Sequence, residues 1–113
     1  MTENQLKAAG YRLYPRRQNI LKNADLWQKA ILTSGGQKAF FINLWSHAYE
    51  DCPGMDEKAK MANRWELDVQ FSLSNGDVFN VSRGVSSMPL AEVESWLKGV
   101  YQDLRCIPDV HNN

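Results

Sequence analysis

The chain has 113 residues, of which 43% are hydrophobic, 11% aromatic and 23% charged. This is the size and composition of one ordinary globular domain, which excludes a collagen-like, low-complexity or multidomain chain. Thirteen basic residues balance thirteen acidic ones, so no overall charge points to DNA or to an anionic membrane as partner.

The first 25 residues predict a short helix followed by irregular, basic chain. Thr2 can cap a helix over residues 2–9, Gln5 completes a capping box, and Gly10 follows as a stop signal. Pro15 lies in the segment after it, which we expect to lack regular structure. Residues 1–40 carry seven basic side chains against two acidic ones, whereas the rest of the chain is acidic.

The period of the sequence changes to two from Leu26 onward, which predicts strands. Residues 26–33 and 38–49 flank Gly35-Gly36, and a hairpin with these glycines as its loop places Ile31 opposite Phe40 and Trp27 opposite Leu44. Proline and glycine at 53–54 interrupt the pattern, and residues 55–62 could form one or two helical turns. Residues 64–73 then alternate strictly, with apolar side chains at odd positions and polar ones at even positions.

The second hairpin presents a choice between two loops. A two-residue Asn75-Gly76 loop would pair polar with apolar residues on both faces of the sheet. A three-residue loop of Ser74, Asn75 and a left-handed Gly76 instead pairs Phe71 with Phe79 and Val69 with Val81. We predict the three-residue loop, because a one-residue slip would misplace every side chain of the strand.

The last element is a helix over about residues 89–105. Pro89 suits its first turn, and an apolar stripe runs along it at Leu90, Val93, Leu97, Val100 and Leu104. The sequence therefore predicts one α+β domain. Residues 1–25 form a short N-terminal helix and an irregular basic segment, residues 26–85 a four-stranded antiparallel sheet of two hairpins, and residues 88–106 a C-terminal helix packed on one face.

The strand at residues 38–49 is apolar on both of its faces. Phe40, Ile42 and Leu44 point one way, whereas the opposite face carries aromatic side chains and a histidine, namely Phe41, Trp45, His47 and Tyr49. A sheet that is covered by a helix on one face should expose mostly polar side chains to solvent on the other face. We therefore predict that these four residues bind a protein partner. The same pattern would also suit a homodimer interface, or a cover formed by the N-terminal segment with Tyr11, Leu13, Tyr14, Ile20 and Leu21.

The N-terminal segment suggests an alternative function. Aromatic and arginine side chains interleave in it, at Tyr11, Arg12, Tyr14, Arg16 and Arg17. Aromatic faces stack on bases and arginines neutralise phosphates, so this composition suits a nucleic-acid-binding segment. The same composition would also result if the tyrosines pack against the sheet while the arginines pair with acidic residues of the later chain.

A third possibility is a zinc-stabilised module. His47, Cys52, Cys106 and His111 are the right ligand types for tetrahedral zinc, although their spacing is not that of common zinc fingers. The same residues could supply a Cys–His nucleophile, but no nucleophile elbow, phosphate-binding loop or dinucleotide motif occurs. We therefore expect no enzymatic activity, no cofactor and no metal in the leading interpretation.

The compartment follows from the cysteine count and from the absence of membrane signals. Two cysteines fit a reducing environment. The chain shows no signal peptide, and no apolar run approaches the ~18 residues that a membrane span needs. We expect a cytoplasmic protein without a membrane partner.

Four segments, GYRLYP at 10–15, AFFINLW at 39–45, WELDVQF at 65–71 and AEVESWL at 91–97, resemble small uncharacterised α+β proteins encoded by phages and prophages. The resemblance spans nearly the whole chain and implies paired hairpins followed by a final helix. It also implies that the protein binds a host or phage macromolecule, for example as an inhibitor or modulator of a host protein. It brings no catalytic residues to this sequence.

Overall fold

The fold is a five-stranded antiparallel sheet with three helices, in a computed structural model that describes residues 1–15, 24–47, 49 and 53–106. The elements follow in chain order: α1 (Glu3–Ala8), β1 (Arg12–Tyr14), β2 (Ala24–Leu32), β3 (Lys38–His47), α2 (Glu57–Ala62), β4 (Trp65–Ser72), β5 (Val78–Gly84) and α3 (Leu90–Cys106). The predicted α+β class, antiparallel sheet and terminal helices are confirmed. In the described ranges, no helix is both long and apolar enough to cross a membrane.

The prediction of four strands is wrong, because Arg12–Tyr14 form β1 at one edge of the sheet. β1 pairs antiparallel with β2, with Leu13 opposite Trp27. A strand of three residues that ends before Pro15 is too short to show alternation, and for that reason the segment resembles irregular chain in the sequence.

Each strand pairs with its neighbour in the chain, so the sheet is a meander in the order β1-β2-β3-β4-β5. The predicted pairs Ile31–Phe40 and Trp27–Leu44 are confirmed in the first hairpin. In the second hairpin, Phe71 lies opposite Phe79 and Val69 opposite Val81, as the three-residue loop predicts.

Both hairpins turn in the same way. In the second hairpin, Leu73 N–H donates to Asp77 O at 2.8 Å and Gly76 N–H donates to Leu73 O at 3.0 Å. In the first hairpin, Thr33 N–H donates in the same way to Gln37 O at 2.7 Å. Its loop therefore has three residues and not the predicted two, and a register shift between Ile31 and Leu32 restores the predicted pairing beyond it.

The core lies between one face of the sheet and α3, and we call this side the α3 face. It contains the buried side chains Trp27, Phe40, Ile42, Leu44, Trp65, Leu67, Val69 and Phe71 of the strands and Val93 and Leu97 of α3. The Tyr101 ring of α3 lies 5.5 Å from the Phe40 ring. This packing follows from the apolar alternation of the strands and the helical stripe.

Helix α1 is capped at both ends in a way that positions Tyr11. The predicted capping box is present between Thr2 and Gln5. At the other end, Gly10 has φ +91°, Tyr11 N–H donates to Leu6 O at 3.0 Å, and Gly10 N–H donates to Lys7 O at 3.1 Å. These bonds form a Schellman motif, which brings both Leu6 and Tyr11 into the core.

Candidate functional site

The candidate site is the face of the sheet opposite α3, which we call the open face. Because side chains alternate along a strand, the residues between the buried ones of β3 point to this face. The ladder arranges its side chains in rows across the strands. One apolar row joins Tyr14, Leu26 and Trp45, and the next row is polar, with Arg12, Gln28, Asn43 and Asp68.

Phe41 lies beyond the polar row, on the side of the first hairpin loop. Phe41 is 37% exposed, and Leu32, close to the same loop, is 59% exposed. The Lys38 ammonium group lies 4.4 Å from the centre of the Phe41 ring, which is a cation–π contact. This end of the open face therefore offers an exposed aromatic ring and an exposed aliphatic side chain next to a positive charge.

Trp45, His47 and Tyr49 lie at the other end of β3, and all three are half-buried. His47 Nε2 lies 3.1 Å from Glu66 Oε2, and the His47 and Tyr49 rings stack with their centres 5.9 Å apart. The Tyr49 hydroxyl donates to Asn63 O at 2.9 Å. The contacts of His47 and Tyr49 hold both rings in fixed positions before any partner binds.

The structure therefore brings three of the four predicted partner-binding residues together and sets the fourth apart. Asn43 separates Trp45 from Phe41, and its Oδ1 accepts a hydrogen bond from Gln28 Nε2 at 2.8 Å. At the usual rise of a strand, Phe41 and Trp45 lie about 13 Å apart. Leu32 is not among the residues predicted from the sequence, although the alternation of β2 places it on the same face as Leu26 and Gln28.

The two halves of the open face differ in polarity. The β4 side chains that point to it are Glu66, Asp68, Gln70 and Ser72, and the β5 side chains are Val78, Asn80 and Ser82, of which only Val78 is apolar. The described part of the β1–β3 half instead combines apolar side chains with the cations of Arg12 and Lys38. A partner bound over the β1–β3 half would therefore meet apolar and basic groups.

The α3 face carries a polar cluster that joins three elements. The Tyr11 hydroxyl donates to Glu94 Oε1 at 3.2 Å. Lys29 Nζ contacts both carboxylate oxygens of Glu94, at 3.2 and 3.1 Å, and lies 5.4 Å from the centre of the Tyr11 ring. Burial, followed by the charge of Glu94 and the hydrogen bond to it, raises the pKa of Tyr11 above its ordinary value.

The residues of the nucleic-acid hypothesis do not share one surface in the described part of the chain. Tyr11 is only 5% exposed and lies on the α3 face, so its ring is not available for a base to stack on. Arg12 and Tyr14 lie on the open face, where the Arg12 guanidinium lies 5.2 Å from the centre of the Tyr14 ring. Arg16 and Arg17 lie outside the described residues.

The zinc hypothesis falls largely outside the described residues as well. Cys52, His111 and the side chain of Cys106 are not described, and the remaining candidate ligand, His47, pairs with Glu66. Across residues 1–15, 24–47, 49 and 53–106, no three His, Cys, Asp or Glu side chains lie close enough to hold a metal ion.

Comparison of the chain with protein-family models, with curated proteins and with solved structures found no match.

Proposed function

We propose that this protein is a small, non-enzymatic protein-binding module, encoded by a phage or prophage, that inhibits or modulates a host protein. Its binding surface is the β1–β3 half of the open face. The observation that carries the proposal is the exposure of Phe41 and Leu32 on a sheet face opposite the helix-covered core. Aromatic side chains at such positions are the preferred anchors of protein interfaces.

The charges of this half indicate the chemistry of the partner. Lys38 lies over the Phe41 ring, and Arg12 lies over the Tyr14 ring. Both cations thus border the apolar side chains that would make the contact. Since interfaces match charge with opposite charge, the partner surface has an apolar pocket for Phe41 with carboxylates at its rim.

The geometry supports different roles for the four predicted residues. Phe41 is the anchor because its ring is exposed and can enter a pocket. Trp45 extends the contact with the accessible part of its ring. His47 and Tyr49 serve as a rigid border, because their polar atoms are already bound to Glu66 and Asn63. A border held in place in the free protein reduces the entropy cost of binding.

A capture experiment with matched variants tests this function. The immobilised full chain is exposed to a bacterial lysate, and retained proteins are quantified for wild type, Phe41→Ala and Leu13→Ala. Leu13 is a suitable control because it is 39% exposed, close to the 37% of Phe41, but lies on the α3 face. We expect one specific protein to be retained by wild type and Leu13→Ala and to be depleted at least about tenfold with Phe41→Ala.

Two outcomes would contradict the proposal. If both variants lose the retained protein equally, the contact does not depend on the open face. If the retained material is nucleic acid that is lost between about 50 and 200 mM salt, the basic N-terminal segment is responsible, because phosphate contacts are strongly salt-dependent.

A further inference from the structure

The two edges of the sheet differ in how they are protected against pairing with another strand. β1 is an edge of three residues that ends before Pro15. Short edge strands and edge prolines are devices that prevent strand addition. β5, the other edge, is seven residues long, contains neither proline nor lysine, and pairs with β4 without a register shift.

β5 is also exposed and partly apolar. Six of its seven residues are exposed and Val81 is half-buried, while Val78 and Phe79 are 51% and 45% exposed. Its single charged group, the Arg83 guanidinium, lies 5.2 Å from the centre of the Trp96 ring of α3. This contact directs the charge toward the helix and not along the free edge.

The hydrogen bonds of β5 to β4 fix which backbone groups point outward. Leu73 N–H donates to Asp77 O at 2.8 Å, and Val85 N–H donates to Trp65 O at 3.0 Å. Hydrogen-bonded and non-hydrogen-bonded pairs alternate in an antiparallel ladder, so the odd-numbered residues of β5 bond to β4. The even-numbered residues therefore direct their N–H and C=O groups to the free edge, and these are Val78, Asn80, Ser82 and Gly84.

We infer that β5 pairs antiparallel with β5 of a second copy of this chain, about a two-fold axis at Val81. Val81 is the middle residue of the strand, so this register keeps the whole of β5 in the ladder. It places Asn80 opposite Ser82 of the other copy and Val78 opposite Gly84, which are hydrogen-bonded pairs that use every outward N–H and C=O. The result is a continuous ten-stranded sheet with both α3 helices on the same face.

The side chains and the charge of the chain are compatible with this register. Phe79 lies opposite Arg83 of the other copy, so no like charges face each other across the strands. Val81 lies opposite itself, and Asn80 and Ser82 can exchange a side-chain hydrogen bond. The formal net charge of the chain is +0, so long-range repulsion between copies is minimal. The inference does not depend on the proposed function, because β5 lies at the edge remote from the β1–β3 half.

Sedimentation of the full chain over a wide concentration range tests the inference. The test compares wild type with variants of Asn80 and Ser82, which the register places opposite each other. In Asn80→Lys with Ser82→Lys, like charges face each other twice across the two-fold axis. We expect the dissociation constant of the dimer to rise at least about tenfold. In Asn80→Lys with Ser82→Glu, opposite charges face each other, and we expect the dimer to return. Gln70→Lys with Ser72→Lys adds the same charge to exposed residues of β4 away from the edge, and should leave the dimer intact.

Three results would overturn the inference. One is a wild-type chain that stays monomeric at every concentration. The edge of β5 would then be open to pairing with a strand of a different protein. Another is a dimer that survives the two lysines on β5, since it would use another surface. The third is equal weakening by the lysine pairs on β4 and β5, which would show that added charge and not the edge register is responsible.

Discussion

The Tyr11 hydroxyl donates a hydrogen bond to the Glu94 carboxylate although 83 positions separate the two residues in the chain. The bond fixes the end of α1 to the first half of α3. The same carboxylate binds Lys29 of β2, so one acidic side chain joins the N-terminal segment, the sheet and the C-terminal helix. The cluster lies on the α3 face, away from the proposed binding surface.

Replacement of Tyr11 by phenylalanine should destabilise the fold without disturbing the open face. The variant keeps the ring but loses a hydrogen bond to a charged acceptor, so we expect the free energy of unfolding to fall by about 1.5 kcal/mol. Urea unfolding at pH 7 measures this loss. Glu92→Gln is the control, because Glu92 is an exposed carboxylate on the same helix, and its loss should change the stability by less than ~0.5 kcal/mol.

The stabilisation by Tyr11 should decrease in alkaline solution. The pKa of Tyr11 is raised in the folded state, chiefly by burial and then by Glu94, so the unfolded chain loses this proton first, above pH ~10. The contribution of Tyr11 to the free energy of unfolding is therefore fully present below this pH. It falls as the pH rises, by up to ~1.4 kcal/mol per pH unit. The difference between wild type and Tyr11→Phe should shrink between about pH 9 and pH 11. A constant difference over this range would contradict the assignment.

Phe40 and Phe41 provide a matched test of which face of β3 is covered. Phe40 is 2% exposed and Phe41 is 37% exposed, although the two residues are consecutive. We expect Phe40→Ala to cost about 3–5 kcal/mol, because it opens a cavity against Phe71 and Tyr101. Phe41→Ala should cost less than ~1 kcal/mol. Thermal or urea unfolding of the two variants measures these losses of stability. Equal losses would mean that Phe41 on the open face is packed as tightly as Phe40 in the core.

Two glycines should respond to alanine in opposite directions. Gly76 has φ +90° in the second hairpin loop, a conformation that costs alanine roughly 1–2 kcal/mol. Gly99 lies within α3, where an added Cβ would meet no atom within 4 Å. Alanine there should stabilise the fold by about 0.4–1 kcal/mol, because it restricts the unfolded chain. Melting temperatures of the two variants should therefore move in opposite directions from that of wild type.

The sequence predicts those parts of the fold in which a local residue pattern is compatible with only one or two structures. The alternation of residues 65–72 defines β4 and its buried face. The burial of Phe71 and Val69 against Phe79 and Val81 selects the register and, with it, the three-residue loop. The capping box at Thr2 and Gln5 is a local motif, so the start of α1 could be read directly from the sequence.

The parts that could not be predicted depend on contacts between distant segments. β1 forms because its three residues pair with the edge of β2. Three residues are too few to show a periodicity in the sequence. The arginines beside Tyr11 suggest nucleic-acid binding as an alternative, and no local signal indicates that Glu94 accepts the Tyr11 hydroxyl. On the open face, the alternation of β3 places Phe41 and Trp45 correctly, but the intervening Asn43 bond to Gln28 and the exposure of Leu32 required the structure.

The meander order of the sheet has a consequence for folding kinetics. Every strand pairs with a chain neighbour, and both long hairpins close through turns of three residues, so most strand pairing can form early at little entropic cost. The Tyr11–Glu94 and Lys29–Glu94 contacts span 83 and 65 positions, so we expect them to form last. Loss of the Tyr11 hydroxyl should therefore accelerate unfolding and leave the folding rate nearly unchanged, because its bond is absent from the transition state.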